Sequence, residues 1–264
     1  MRPRMALASW GRDMKTWMLA AVSLFAVGAV APATAADLPI YKAPAAAVPL
    51  YDWSGIYAGI NGGGGLAHAC WGVTRALGIA VDPAVGEGCH NAGGGTVGGQ
   101  LGYRWQKSRW VFGIEGQGNW ADFKGSNVSV ALPLFTNQTK IDSFGLFTGQ
   151  MGYAVNNLLF YGKAGAAVAH DKYDTFVPGV PAAVFNSVNQ TRWGYTIGIG
   201  VEWGFAENWS VGGEYNHVFL GHHSADFATL VGGFAPRTDR IGQDIDMGLI
   251  RINYRWGGPV VAKY

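Results

Sequence analysis

The segment Arg192–Trp203 alternates with a period of two over its whole length. Trp193, Tyr195, Ile197, Ile199, Val201 and Trp203 share one face, and Gly194, Thr196, Gly198, Gly200 and Glu202 share the other. Only an extended strand keeps that period, because its successive side chains point to opposite sides. The bulky row is apolar, with aromatics at both ends and aliphatics between them. The opposite row holds small residues and one carboxylate. Such a strand is patterned for lipid on one side and a polar lumen on the other.

Eight segments carry this pattern, at about Gly55–Ala67, Thr96–Trp105, Trp110–Phe123, Ile141–Val155, Leu158–Tyr173, Arg192–Trp203, Trp209–Phe219 and Asp244–Trp256. Their connections run long, short, long, short. Gln106–Arg109, Asn156-Asn157 and Phe205–Asn208 read as tight turns, since asparagine tolerates positive φ. The long ones run to about Gly95, through Pro133, across Pro178 and Pro181, and from about His222 to Gly242. Strands in lipid must satisfy every backbone group by closing on themselves. The expected fold is therefore all-β, an eight-stranded antiparallel up-and-down transmembrane β-barrel preceded by a signal peptide.

Composition agrees: charged residues make up 14% of the chain, against about a quarter in soluble domains. Residues 1–35 read as the signal peptide, with Lys15, the apolar run Trp17–Val30 and the small-residue site Ala33-Thr34-Ala35. Residues 36–52, with Pro39, Pro44 and Pro49, read as an extended periplasmic leader, and 53–264 as the barrel. The net charge of +2 says little about partners, and none is expected among nucleic acids.

Turning the polar rows inward gathers Arg104, Glu115, Lys163, Glu202, Glu214, Arg251 and Arg255 in the lumen. A lysine or arginine at the lipid midplane would cost about 2–4 kcal/mol. Eight strands leave an interior just wide enough for side chains to fill. A bonded ionic plug is expected, with an anion-preferring ion path as the alternative. Gly113, Gly116, Gly162, Gly165, Gly212 and Gly213 are expected to make room for the charges. Trp110, Trp120, Trp193, Trp203, Trp209 and Trp256 form the expected aromatic girdle.

Cys70 and Cys89 share the first long connection. In an exported protein they read as a disulfide, which would remove about 3 kcal/mol of unfolded-chain entropy. A metal site with His68 and His90 is the alternative, without the tight Cys-x-x-Cys spacing that would support it. His222-His223-Ser224, with Asp226 or Glu214, could be read as a hydrolytic triad; the rim of an extracellular loop is the simpler reading.

Several motifs resemble the small outer-membrane protein family of alphaproteobacteria, the opacity-type, porin-like group, and more distantly the barrel domain of OmpA. They are Ala36-Asp37-Leu38-Pro39, Trp53-Ser54-Gly55-Ile56-Tyr57-Ala58-Gly59, Gly113-Ile114-Glu115-Gly116, Tyr161-Gly162-Lys163-Ala164-Gly165 and Arg251-Ile252-Asn253-Tyr254-Arg255-Trp256. The resemblance implies an outer-membrane barrel with an envelope and surface role, no catalysis and no cofactor. The implied partners are outer-membrane lipid, lipopolysaccharide and, during biogenesis, the barrel assembly machinery. That machinery reads the aromatic ending the last strand, here Trp256 or Tyr264. A narrow channel, or a surface receptor taking haem through His68, His90, His170, His222 or His223, are the alternative functions.

Overall fold

The computed structural model describes residues 51–131, 133–176, 184–227 and 237–257. The expected signal peptide lies outside the described residues, as does the leader up to residue 50. The strands are β1 Gly55–Ala76, β2 Ile79–Lys107, β3 Trp110–Val128, β4 Thr136–Val155, β5 Leu158–Phe176, β6 Val184–Ala206, β7 Trp209–Phe227 and β8 Arg237–Trp256. Each pairs antiparallel with its neighbours in sequence, and β1 pairs with β8 to close the ring. No helix occurs among the described residues.

Three two-residue turns define one end of the barrel: Ser108-Arg109, Asn156-Asn157 and Glu207-Asn208. Ser108 (φ 59°) and Asn156 (φ 54°) take the left-handed conformation that matches the strand twist. At the other end the hairpins are longer.

The first long connection is a correction. The chain from Ala67 to Gly95 is not a loop: β1 and β2 stay paired up to Ala76 and Ile79 and reverse at Leu77-Gly78. Both turn residues have positive φ, 54° and 78°, as a type I′ hairpin requires. The other long connections shrink in the same way. Beyond the lipid zone the outer face carries His68 and Asn91 among glycines, and exposed aliphatics return only at Val85 and the hairpin tip, so the contrast between faces fades while the backbone ladder continues.

The inner face is stratified. Tyr51, Trp53, Val111, Ala154, Leu159 and Tyr161 pack at the short-turn end. An ionic layer follows, and then an apolar layer that includes Phe123, Ile141, Phe144, Leu146, Ile245 and Met247. This apolar layer corrects the expectation of polar rows facing inward throughout. Higher still, Trp71, Tyr173, Phe227 and Ile241 form a further apolar cluster.

Candidate functional site

The ionic layer is built from two centres, each joining strands from different sides of the barrel. Arg104 on β2 donates to both oxygens of Glu202 on β6, at 3.1 and 2.9 Å. Ser210 and Asn253 also donate to Glu202. In the second centre Arg251 on β8 bridges Glu115 on β3 and Glu214 on β7. Lys163 on β5 lies 2.6 Å from Glu214 and 3.3 Å from Glu115. Tyr57 donates to Glu115 at 2.7 Å and Tyr161 to Glu214 at 2.6 Å.

Amides join the centres. Arg104 donates to Gln150, and Gln150 to the Tyr57 hydroxyl. On the other side a chain runs from Glu202 through Asn253, Gln100, Asn61, Asn119 and Gln117 to Lys163. Three cations (Arg104, Lys163, Arg251) thus meet three carboxylates (Glu115, Glu202, Glu214), all buried. Isolated charges in such a place would be prohibitive, and mutual pairing is what makes them tolerable, although the Nε of Arg251 has no hydrogen-bond partner.

Arg255 stands apart from these six. It donates to the carbonyls of Ser54 and Glu207, both at 3.0 Å, and clasps the short-turn end of the barrel. Beside it Trp53 is 1% exposed and lies under Arg104, whose guanidinium carbon is 5.8 Å from the ring centroid.

Glycines create the space for this layer, though not all those expected. Gly113 and Gly212 lie against Arg104 and Glu202, and Gly165 lies against the β4 backbone. Gly213 faces open space, and Gly116 and Gly162 have no closer neighbour than 3.8 Å. The decisive ones were missed: a Cβ at Gly102 would come 2.4 Å from the Tyr57 hydroxyl, and one at Gly200 would come 2.4 Å from the Tyr161 ring. The signal was available, since both lie on inward rows.

Residues 19–237 match the family described as outer membrane protein beta-barrel domain. The chain belongs to this family. It is 31% identical over 222 residues to a 31 kDa outer-membrane immunogenic protein of Brucella melitensis biotype 1, covering 79% of this chain and 88% of the relative. A 22 kDa outer membrane protein of Rhizobium leguminosarum bv. viciae is 28% identical over 154 residues, 58% of this chain and 65% of that one. The crystal structure of OprG from Pseudomonas aeruginosa shares the fold, with a TM-score of 0.53 at 14% identity, covering 80% of this chain and all of that one.

As an outer-membrane barrel the protein turns its tight-turn end to the periplasm and its long hairpins outward. All six girdle tryptophans lie on the outer wall, from 44% exposed at Trp209 to 75% at Trp120. Trp110, Trp203, Trp209 and Trp256 sit near the periplasmic turns, and Trp120 and Trp193 sit higher. Trp110 and Trp120 are ten residues apart, as are Trp193 and Trp203, close to the roughly 9–11 residues a tilted strand needs to cross.

The cysteines lie above the membrane zone. Cys70 and Cys89 are direct cross-strand partners and form a disulfide on the outer wall. His68 shares that wall, but His90 points inward, bonded to Asn127 and Thr139 at 2.7 and 3.0 Å. Burial lowers the pKa of His90. His170 contacts Thr191 on the outside, and His222 and His223 are exposed, so the five histidines do not converge on one haem pocket. The hydrolytic grouping is dispersed too. Glu214 is enclosed with Arg251, and Asp226 accepts a hydrogen bond from Thr238.

A second polar layer at the extracellular end was also missed. Arg192 donates to Tyr173 at 2.7 Å and to the Gly221 carbonyl at 2.8 Å. Above it Glu87 accepts from Ser129, Asn137 and Arg237, while Arg237 also lies 2.9 Å from Asp239. Burial, opposed by Arg237 and reinforced by Glu87, pushes the Asp239 carboxyl up to about 7. The parity of the Arg192–Trp203 strand already pointed Arg192 inward. Glu87 and Asp239 fell in stretches read as loops.

Proposed function

We propose that this protein is a non-enzymatic wall component of the outer membrane, a closed barrel that supports envelope integrity and presents its hairpins at the cell surface. The observation carrying this reading is the pair Arg104–Glu202, two buried side chains that meet across the lumen from opposite strands. The apolar layer above and Trp53 below support the same reading. An apolar layer on either side of the ionic layer favours a plug over a pore.

The surface role rests on the hairpins that extend beyond the aromatic zone. The name of the Brucella relative, an immunogenic protein, accords with such exposure. Lipid partnership has its own support. Lys124, Lys140 and Lys172 are direct cross-strand neighbours on β3, β4 and β5. Like charges directly opposite one another destabilise a sheet, and Asp122, Asp142 and Asp174 each pair with one of these lysines. The row of lysines still offers a line of cations to the phosphates of lipopolysaccharide. The barrel assembly machinery is the partner during biogenesis, with Trp256 its candidate signal.

Planar-bilayer recording on the refolded protein tests the plug. Silence is the expected result, and a steady ionic current through the wild-type protein would overturn it.

A further inference from the structure

The outer wall at the extracellular end carries a second constellation that the closed-barrel reading does not use. Cys70 and Cys89 face each other with Cα atoms 4.1 Å apart, and Cys89 is exposed. His68, two residues before Cys70 on the same face, brings its Nε2 to 3.4 Å from Cys70 Sγ. Its Nδ1 lies 2.8 Å from Asn91 Oδ1. An amide oxygen only accepts, so Nδ1 donates to it, and in the neutral imidazole Nε2 then turns its lone pair toward the sulfur. That is how metal-binding imidazoles are held: the far nitrogen is anchored by a hydrogen bond and the near one is free to ligate.

A sulfur in a disulfide has no proton to offer that lone pair. The ligand atoms of His68, Cys70 and Cys89 all lie within 4.8 Å of one another. In a tetrahedral zinc site, with bonds of about 2.3 Å to sulfur and 2.0–2.1 Å to nitrogen, the sulfur–nitrogen edge is about 3.6 Å. The His68–Cys70 edge is already of that length. On the other side of Cys70 its β8 partner is Gly242, and the imidazole of His222 lies over that glycine, 3.0 Å from where a Cβ would stand. Asp244, the β8 partner of His68, adds negative charge beside the position of a cation.

The geometry points to a thiol-gated metal site on the outer surface. Once a low-molecular-weight thiol reduces the bridge, Cys70, Cys89 and His68 hold a zinc-class cation with water in the fourth position. The thiolate of the reductant attacks the exposed Cys89 sulfur and Cys70 departs as a thiolate. A second thiol then resolves the mixed disulfide. Two thiols become one disulfide, the protein gains two electrons and two protons, and metal binding releases those protons. His90 takes no part, since it faces the interior.

The test uses the full-length protein in detergent micelles, with cobalt(II) as the probe. After reduction and removal of the reductant, sulfur-to-cobalt charge-transfer absorption and intense tetrahedral visible bands are expected, and zinc displaces both. The oxidised protein stays silent. His68→Ala and Asn91→Ala lower cobalt affinity by about tenfold or more, whereas His90→Ala leaves it unchanged. Retained heat-modifiable gel mobility establishes that each variant is a folded barrel. Reduced wild-type protein that titrates two thiols yet shows no charge-transfer band would overturn the proposal. An unaltered affinity in His68→Ala would do the same.

Discussion

Arg104 and Glu202 stand on β2 and β6, four strands apart in a ring of eight, so their two-point contact spans the barrel from wall to wall. Few single interactions tie such distant parts of the wall together. Around it, the hydrogen bonds through Asn253, Gln100, Asn61, Asn119 and Gln117 bring in β8, β1 and β3.

Replacing Glu202 by Gln keeps the shape and strands the Arg104 charge. Breaking one side of a buried pair costs about 3–5 kcal/mol. The temperature at which the heat-modifiable band unfolds should drop clearly. Combining it with Arg104→Met should recover much of that loss, because a neutral filler of similar volume needs no partner. A double variant no better than the single one would show that the pair is not coupled. Glu115→Ala and Lys163→Ala should lower the same transition.

Gly200→Ala and Gly213→Ala form a matched test of glycine placement. The first forces a methyl group into the Tyr161 ring and the second meets open space. Overpacking of this kind costs about 1–3 kcal/mol, so only Gly200→Ala should unfold at lower temperature. Equal behaviour of the two would refute the cradle.

Trp53 closes the periplasmic end beneath Arg104. Trp53→Ala removes a buried indole and leaves a cavity, at a cost of about 3–5 kcal/mol. Denaturant titration of the folded band measures it; a midpoint shift as small as that of an exposed girdle change such as Trp120→Ala would contradict the packing role.

Asp239 gives the extracellular rim a pH dependence. Its carboxyl, ordinarily near 3.8, is raised to about 7 in the folded protein. The folded state therefore binds the extra proton between those values, and stability falls as pH rises through that window. Protease cleavage of the extracellular hairpins, corrected for enzyme activity, should accelerate from pH 4.5 to 7 and then level off. Asp239→Asn, which cannot ionise, should abolish the trend.

The membrane-crossing parts of the strands were legible because lipid and lumen demand opposite chemistry on alternate residues. Trp193 through Trp203 is the clearest case, and its inward Glu202 could be assigned from parity alone. The same parity gave Arg104, Lys163 and Arg251. What parity cannot supply is the partner across the lumen, since that depends on strand tilt and register. Hence Arg255 was grouped with charges it does not touch. Above the membrane both faces of β1 and β2 meet polar surroundings, so His68–Ala76 lost its alternation and read as loop. The apolar layer around Phe123 and Ile141 was hidden for a different reason. Inward aliphatics break the polar-in rule that identified the other strands.

The hairpin of β1 and β2 reverses at Leu77-Gly78, about ten residues beyond Leu66, the last exposed aliphatic of β1 below it. At roughly 3.3 Å per residue along a tilted strand, that lifts the tip some tens of ångströms from the lipid. A foreign peptide grafted between those two residues would ride on a cross-linked, backbone-paired stalk, accessible to antibodies on living cells.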